Sequence, residues 1–180
     1  MVDRPPVLRI SRRHFGKALG KQASSDMSWT DARERDVQAA ARAMGRKVQV
    51  VTASHEREID SALESVVALR AGALLVSADP LFNSWLQQLV DLTRRYRLPA
   101  IFEWREFATA GGLMSYGSDI ANGYREAGVY AGRILNGTNP SELPVLQATK
   151  FEFVINLATA KTLGLTIPQA LLVRADDVIQ

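Results

Sequence analysis

The chain has 180 residues, 47% apolar and 23% charged, which suits one globular domain, or one domain plus a piece of a second, and excludes a disordered, collagenous or fibrous chain. It has no cysteine, so disulfides, zinc–thiolate sites, iron–sulfur clusters and cysteine nucleophiles are excluded; nor is there a run of about 18 apolar residues to cross a membrane as a helix. The net charge of +3 is concentrated at the start, where Arg4, Arg9, Arg12, Arg13, Lys17 and Lys21 face Asp3 alone, so the basic character belongs to a leader rather than to a nucleic-acid-binding surface.

From residue 30 the pattern alternates. Thr30 is placed to cap a helix running to about Met44, with Val37, Ala40, Ala41 and Met44 at helical spacing and Gly45 as its stop. Lys47–Ala53 has strand character. Ser54 is placed to cap a second helix, with Glu56 and Glu58 at its positive end and Ile59, Ala62, Leu63, Val66 and Val67 as its apolar stripe. Ala73–Ser77 is a short apolar strand, broken by Asp79-Pro80. Asn83 is placed to cap a helix with Leu86, Leu89 and Val90 inward, ending near Tyr96. Pro99–Glu103 is the next strand. Residues 30–103 therefore read α-β-α-β-α-β, the signature of a mostly parallel sheet covered by helices in a three-layer α/β lobe.

The pattern then changes. Gly111-Gly112 precedes a short strand, Leu113–Tyr116, and Ser118 or Asp119 opens a helix ending at Gly137. Its stripe is Ile120, Tyr124, Ala127, Ala131, Ile134 and Leu135. Asn139-Pro140 and Pro144 mark a linker, Phe151–Asn156 is a strand, Thr159–Leu163 is a short helix stopped by Gly164, and Pro168 starts a last helical segment.

Nothing in the sequence points to catalysis, a metal or a cofactor. His14 and His55 have no partner at metal-ligand spacing. No nucleophile elbow, phosphate-binding loop or dinucleotide fingerprint occurs. What the sequence does offer lies beyond the carboxyl ends of the strands, where open parallel sheets hold their ligands. The first end carries Thr52 and Ser54. The second carries Ser77 and Asp79, followed by Phe82. The third carries Glu103, Trp104 and Arg105, and Tyr116 and Asp119 border the next turn. Carboxylates suit an ammonium group and rings suit stacking or cation–π contact. The expected ligand-binding set is Ser77, Asp79, Phe82, Glu103, Trp104, Tyr116 and Asp119.

Several stretches together resemble a known family: RDVQAAARAMG (35–45), ALLVSADPLF (73–82), LPAIFEWREFATAGGLMSYG (98–117), GRILNGTNPSELPVLQATKFEFVINLATAKTLGLTIP (132–168) and the ending LLVRADDVIQ (171–180). They look like ABC-transporter solute-binding proteins of the tryptophan/uncharacterised-substrate group, over about residues 31–180. The resemblance implies a type I periplasmic-binding fold, here its carboxy-terminal half, with two α/β lobes in the complete protein closing on a small polar or aromatic organic solute such as an amino acid. It implies an ABC permease as partner, a periplasmic location and no enzymatic activity. It divides the chain into a basic leader (1–29), the carboxy-terminal lobe (30–110 and 141–180) and a strand–helix remnant of the amino-terminal lobe (111–140). The exposed stripe of that remnant is expected to favour a homo-oligomer.

Two features depart from the family. Most of the first lobe is missing, and residues 16–29 do not read as the apolar strand that begins the second; Val7–Ile10 is the available replacement. Ser11–Lys17 (SRRHFGK) resembles a twin-arginine export motif, yet Ala18–Ser28 is mostly polar where a signal needs an apolar stretch. The expectation is a signal-like start joined to the second half of a longer gene by an internal deletion. The competing reading is the ligand-sensing domain of a transcriptional regulator, for which the leader makes a poor helix-turn-helix.

Overall fold

The computed structural model describes residues 6–11, 24–145 and 150–180. They belong to two units, residues 1–101 and 102–180.

The first unit is a parallel sheet with helices. β1 (Val7–Ser11) lies between β2 (Val48–Thr52) and β3 (Ala73–Val76), parallel to both. β3 pairs in parallel with β4 (Ala100–Phe102) through Leu74 and Leu75. These are the three strands expected from the periodicity, with one more at the centre. β1 falls inside the stretch expected as a leader. Its Ile10 is fully buried, as an apolar side chain flanked by two strands should be. The arginine pair of the export-like motif, Arg12 and Arg13, lies outside the described residues.

Helix α1 (Ser24–Ala43) starts before the expected Thr30; no proline or glycine in residues 24–29 opposes that extension. It stops at Gly45, whose φ of 63° is costly for other residues. Of its expected inward residues Ala41 is buried, whereas Met44 is exposed. α2 (Glu56–Ala68) is capped by a different device from the one expected. His55 is the cap residue but its side chain makes no capping hydrogen bond and lies 3.2 Å from Glu58 Oε1. Instead Glu58 reaches back, its Oε2 accepting from the Ser54 N–H at 2.7 Å, which satisfies an N–H ahead of the helix start. Ile59, Ala62, Leu63 and Val66 are buried as expected; Val67, at the edge of that stripe, is exposed. Asn83 caps nothing. Asp79 does so one turn earlier, accepting from the Leu81 N–H at 2.8 Å at the head of α3 (Pro80–Ser84). Pro80 suits a first helical position, whose N–H has no intrahelical partner. α4 (Leu86–Arg95) follows, burying Leu89, Val90, Leu92 and Thr93, and Tyr96 closes it.

In the second unit, α5 (Arg105–Thr109) buries Phe107, which stacks on Phe102 with centroids 4.5 Å apart. β5 (Met114–Ser118) runs antiparallel to β6 (Phe151–Asn156), and β6 runs parallel to β7 (Asp177–Ile179). β6 has the expected limits. β7 replaces the end of the expected last helical segment, which is reduced to α8 (Gln169–Leu172). Asn156 ends β6 and caps α7 (Leu157–Leu163). α6 (Ile120–Leu135), capped by Asp119 as expected, has no buried residue. Tyr124 is 77% and Leu135 87% exposed. Among the described residues no helix is long and apolar enough to cross a membrane.

Candidate functional site

Strand alternation and register build the site in the second unit. In β5 successive side chains point to opposite faces. Ser115 and Gly117 are buried on one face, and Tyr116 is exposed on the other. β6 is registered so that Gly117 faces Glu152 and Tyr116 faces Phe153. The Gly117–Glu152 face meets the segment leaving β4, where Glu103, Trp104 and Arg105 turn into α5. Trp104 is the α5 cap residue in an extended conformation (φ −102°, ψ 143°) and, like Glu103, is half-buried.

Glu103, Arg105, Glu152, Ser118 and Asp119 thereby surround a cavity of about 30 Å³. Its charges are organised. Arg105 pairs through Nη1 with Glu152 and through Nη2 with Asp177 at 2.8 Å, so one guanidinium from α5 ties together β6 and β7. Asp119 accepts from the Asn122 N–H at 2.9 Å and lies 3.3 Å from the Lys150 ammonium. The Asn122 N–H bond, helped by Lys150 and opposed by desolvation, holds its carboxyl below the ordinary aspartate value. Asp119 is therefore an anion at neutral pH. A volume of about 30 Å³ is that of one water in the liquid. The cavity fits one end of a molecule, such as an ammonium group.

Two other features flank it. Tyr116 stacks on Phe151 at 5.9 Å and meets Phe153 edge-on at 6.2 Å, forming an aromatic platform on the opposite face of the β5–β6 pair. An open, mostly apolar cleft of about 1060 Å³ runs along α6 between Tyr124, Tyr130 and Ile134 and the segment Leu143–Val145. The Tyr130 hydroxyl donates to the Pro144 carbonyl at 2.6 Å.

The structure brings Glu103 and Asp119 of the expected set together, puts Trp104 beside them in sequence, and turns Tyr116 to the other sheet face. Ser77, Asp79 and Phe82 belong to the first unit. Ser77 is half-buried, its N–H bonded to the Ile10 carbonyl at 3.1 Å. Asp79 caps α3, and Phe82 is 1% exposed, with its ring tilted against Trp85. Glu152 and Asp177 were not expected at the site. The available signal was Glu152 itself, a carboxylate between Phe151 and Phe153 on the strand face opposite theirs, where burial demands a partner. Among the described residues no group of three or more histidines or carboxylates could hold a metal ion.

The family model described as ABC transporter substrate binding protein matches residues 22–179. The chain belongs to this family. It is a family of binding proteins, not of enzymes. Solved structures share the fold, three of them as follows. A conserved domain protein from Vibrio cholerae O1 biovar El Tor is 21% identical, with a TM-score of 0.78, over 97% of this chain and 54% of that one. An ABC domain in complex with L-Trp from Streptococcus pneumoniae is 24% identical, with a TM-score of 0.77, over 97% and 56%. A ligand-free, open substrate-binding protein with adhesive properties from Clostridium difficile is 19% identical, with a TM-score of 0.60, over 98% and 55%. The chain thus spans about half the length of the solved proteins it matches, and at these identities the likeness concerns the fold. No curated protein matches the chain.

Proposed function

We propose that this ABC substrate-binding family member contributes half of a binding site for a small organic solute carrying an ammonium group, of the amino-acid class, and acts outside the cytoplasmic membrane in an import system whose ABC permease spans that membrane. One observation carries this reading: Glu103 and Asp119, at the ends of β4 and β5, converge on one ammonium-sized cavity. An aromatic amino acid is favoured by Trp104, which follows Glu103 in the chain, and by the L-Trp bound in the pneumococcal neighbour. Trp104 is the aromatic candidate beside Glu103, and Ser77 and Asp79 stay candidates within the first unit, taken by itself.

Calorimetry with three probes tests the reading. L-Tryptophan carries ring, ammonium and carboxylate; tryptamine lacks the carboxylate; indole-3-propionate lacks the ammonium. The chain is expected to bind the first two and not the third. Glu103→Gln keeps the shape and removes the charge. Loss of a charge-assisted hydrogen bond worth about 1.5–3 kcal/mol weakens tryptamine by roughly tenfold to a hundredfold. Asp79→Asn, measured alongside, decides whether the first unit contributes charge. Indole-3-propionate binding as tightly as tryptamine, or Glu103→Gln without effect, refutes the ammonium assignment.

We also propose that the stripe exposed on α6 drives self-association. Sedimentation is expected to show a dimer or larger species that Leu135→Glu dissociates. A monomer at high concentration counts against this.

A further inference from the structure

Glycine in a strand interior has a cost, since it packs no side chain and loses more backbone freedom on folding than other residues. The glycines at 123, 128 and 132 of α6 have open space where a Cβ would be. Gly117 in β5 does not. A Cβ added there would lie 2.5 Å from Glu103 Cγ and would overlap the Glu103 carbonyl oxygen. Gly117 has no positive φ, so the backbone conformation does not demand glycine. The demand is spatial: the chain leaving β4 lies directly on the β5 backbone at this residue. A second close approach is at Gly112, where a Cβ would lie 2.8 Å from the Phe107 carbonyl oxygen and 2.9 Å from the Phe102 ring. That one belongs to the aromatic core and lines no part of the acidic cavity.

From this contact we infer that Gly117 is a positioning residue for Glu103. With no side chain at 117, Glu103 Cγ rests on β5, and the Glu103 carboxylate is delivered to the cavity it shares with Asp119. Any side chain at 117 lifts Glu103 away from Asp119 and opens the cavity. The charged groups lining that cavity are Arg105 and Glu106 of α5, Asp119 at the head of α6 and Glu152 of β6, so a displaced Glu103 exchanges one electrostatic environment for another. The inference rests on the ammonium-binding reading for its functional meaning, but the contact can be tested without a ligand.

The experiment has two arms, run on the full chain. In the first, carbon-13 NMR follows the Glu103 carboxyl through a pH titration in the wild type, Gly117→Ala and Gly112→Ala. The midpoint is expected to move in Gly117→Ala, because its distances to neighbouring charges change, and to stay in place in Gly112→Ala. A wild-type midpoint in Gly117→Ala overturns the inference. In the second arm, calorimetry with tryptamine is done well below melting. Gly117→Ala is expected to bind about tenfold or more weakly than the wild type, and Gly112→Ala, although less stable, to bind like it. Equal weakening in both variants overturns the positioning role, because it reduces the effect to general loosening. A moved midpoint in a protein that never binds tryptamine upholds the positioning and refutes the ammonium reading, so the two failures are distinguishable. If Gly117→Ala melts before it can be titrated, Gly117→Ala/Glu103→Ala removes one of the two overlaps and is expected to recover stability. No recovery relative to Gly117→Ala overturns the side-chain contact and with it the positioning of Glu103 by Gly117, leaving only the overlap with the Glu103 carbonyl.

Discussion

Asn156 is the side chain on which the second unit most visibly depends. It is 5% exposed. Its Nδ2 donates to the Ala108 carbonyl at 3.0 Å, and its Oδ1 accepts from the Thr159 N–H at 2.9 Å. The first bond ties β6 to the end of α5, and the second caps α7. Asn156→Ala removes both. A lost cap costs about 1 kcal/mol. A buried hydrogen bond adds about 1 kcal/mol, and the small void left behind adds a fraction more. The Ala108 carbonyl also accepts from the Gly111 N–H at 3.1 Å, so it is not orphaned, which keeps the total at roughly 2–3 kcal/mol. Asn156→Asp keeps the cap acceptor and loses the donor to Ala108, so its deficit reports the second bond together with the cost of a buried charge. Urea denaturation followed by circular dichroism measures both, with an unchanged slope showing that only stability has moved. A deficit below about 0.5 kcal/mol for Asn156→Ala, the range of an ordinary surface substitution, would falsify the assignment of Asn156 as the tie between these elements.

Two further predictions concern the charges around the acidic cavity. Arg105→Ala leaves the carboxylates of Glu152 and Asp177 without their shared guanidinium; because two of the three groups are 44% exposed, the expected destabilisation is only about 1 kcal/mol, shrinking as salt is raised from 0.05 to about 0.5 M, and a loss independent of salt refutes an electrostatic origin. Asp119 has a depressed carboxyl, so its folded state binds a proton less readily than the unfolded chain. The stability it contributes is present above the ordinary aspartate range and is lost as the pH falls through its lower folded value. Melting temperatures measured from pH 5 down to about pH 2 should fall less steeply in Asp119→Asn, which keeps a capping side chain without the charge; identical slopes contradict the assignment.

The sequence by itself determined the elements whose signal is local. The apolar runs at 73–77 and 99–103, the stripe Ile59-Ala62-Leu63-Val66 and the strand at 151–156 can be read because burial on one or both faces imposes a period that neighbouring residues display. The cap at Asp119 and the stop at Gly45 are equally local, since each concerns backbone groups within a few residues. The family could be read as well, because several such stretches occur in order. Tertiary structure alone decided what depends on partners distant along the chain. Val7–Ile10 could be offered from sequence only as a substitute first strand; its place at the centre comes from parallel pairing with both β2 and β3. Residues 177–179 carry no strand period and pair only because β6 presents an edge. Arg105 finds Glu152 and Asp177 across 47 and 72 residues, a separation on which periodicity is silent. The register of β5 on β6 decided that Gly117 and Glu152, rather than Tyr116, share a face with Glu103. A shift of one residue would exchange those faces, and the glycine at 117 acquires its meaning only once the register has brought it against Glu103.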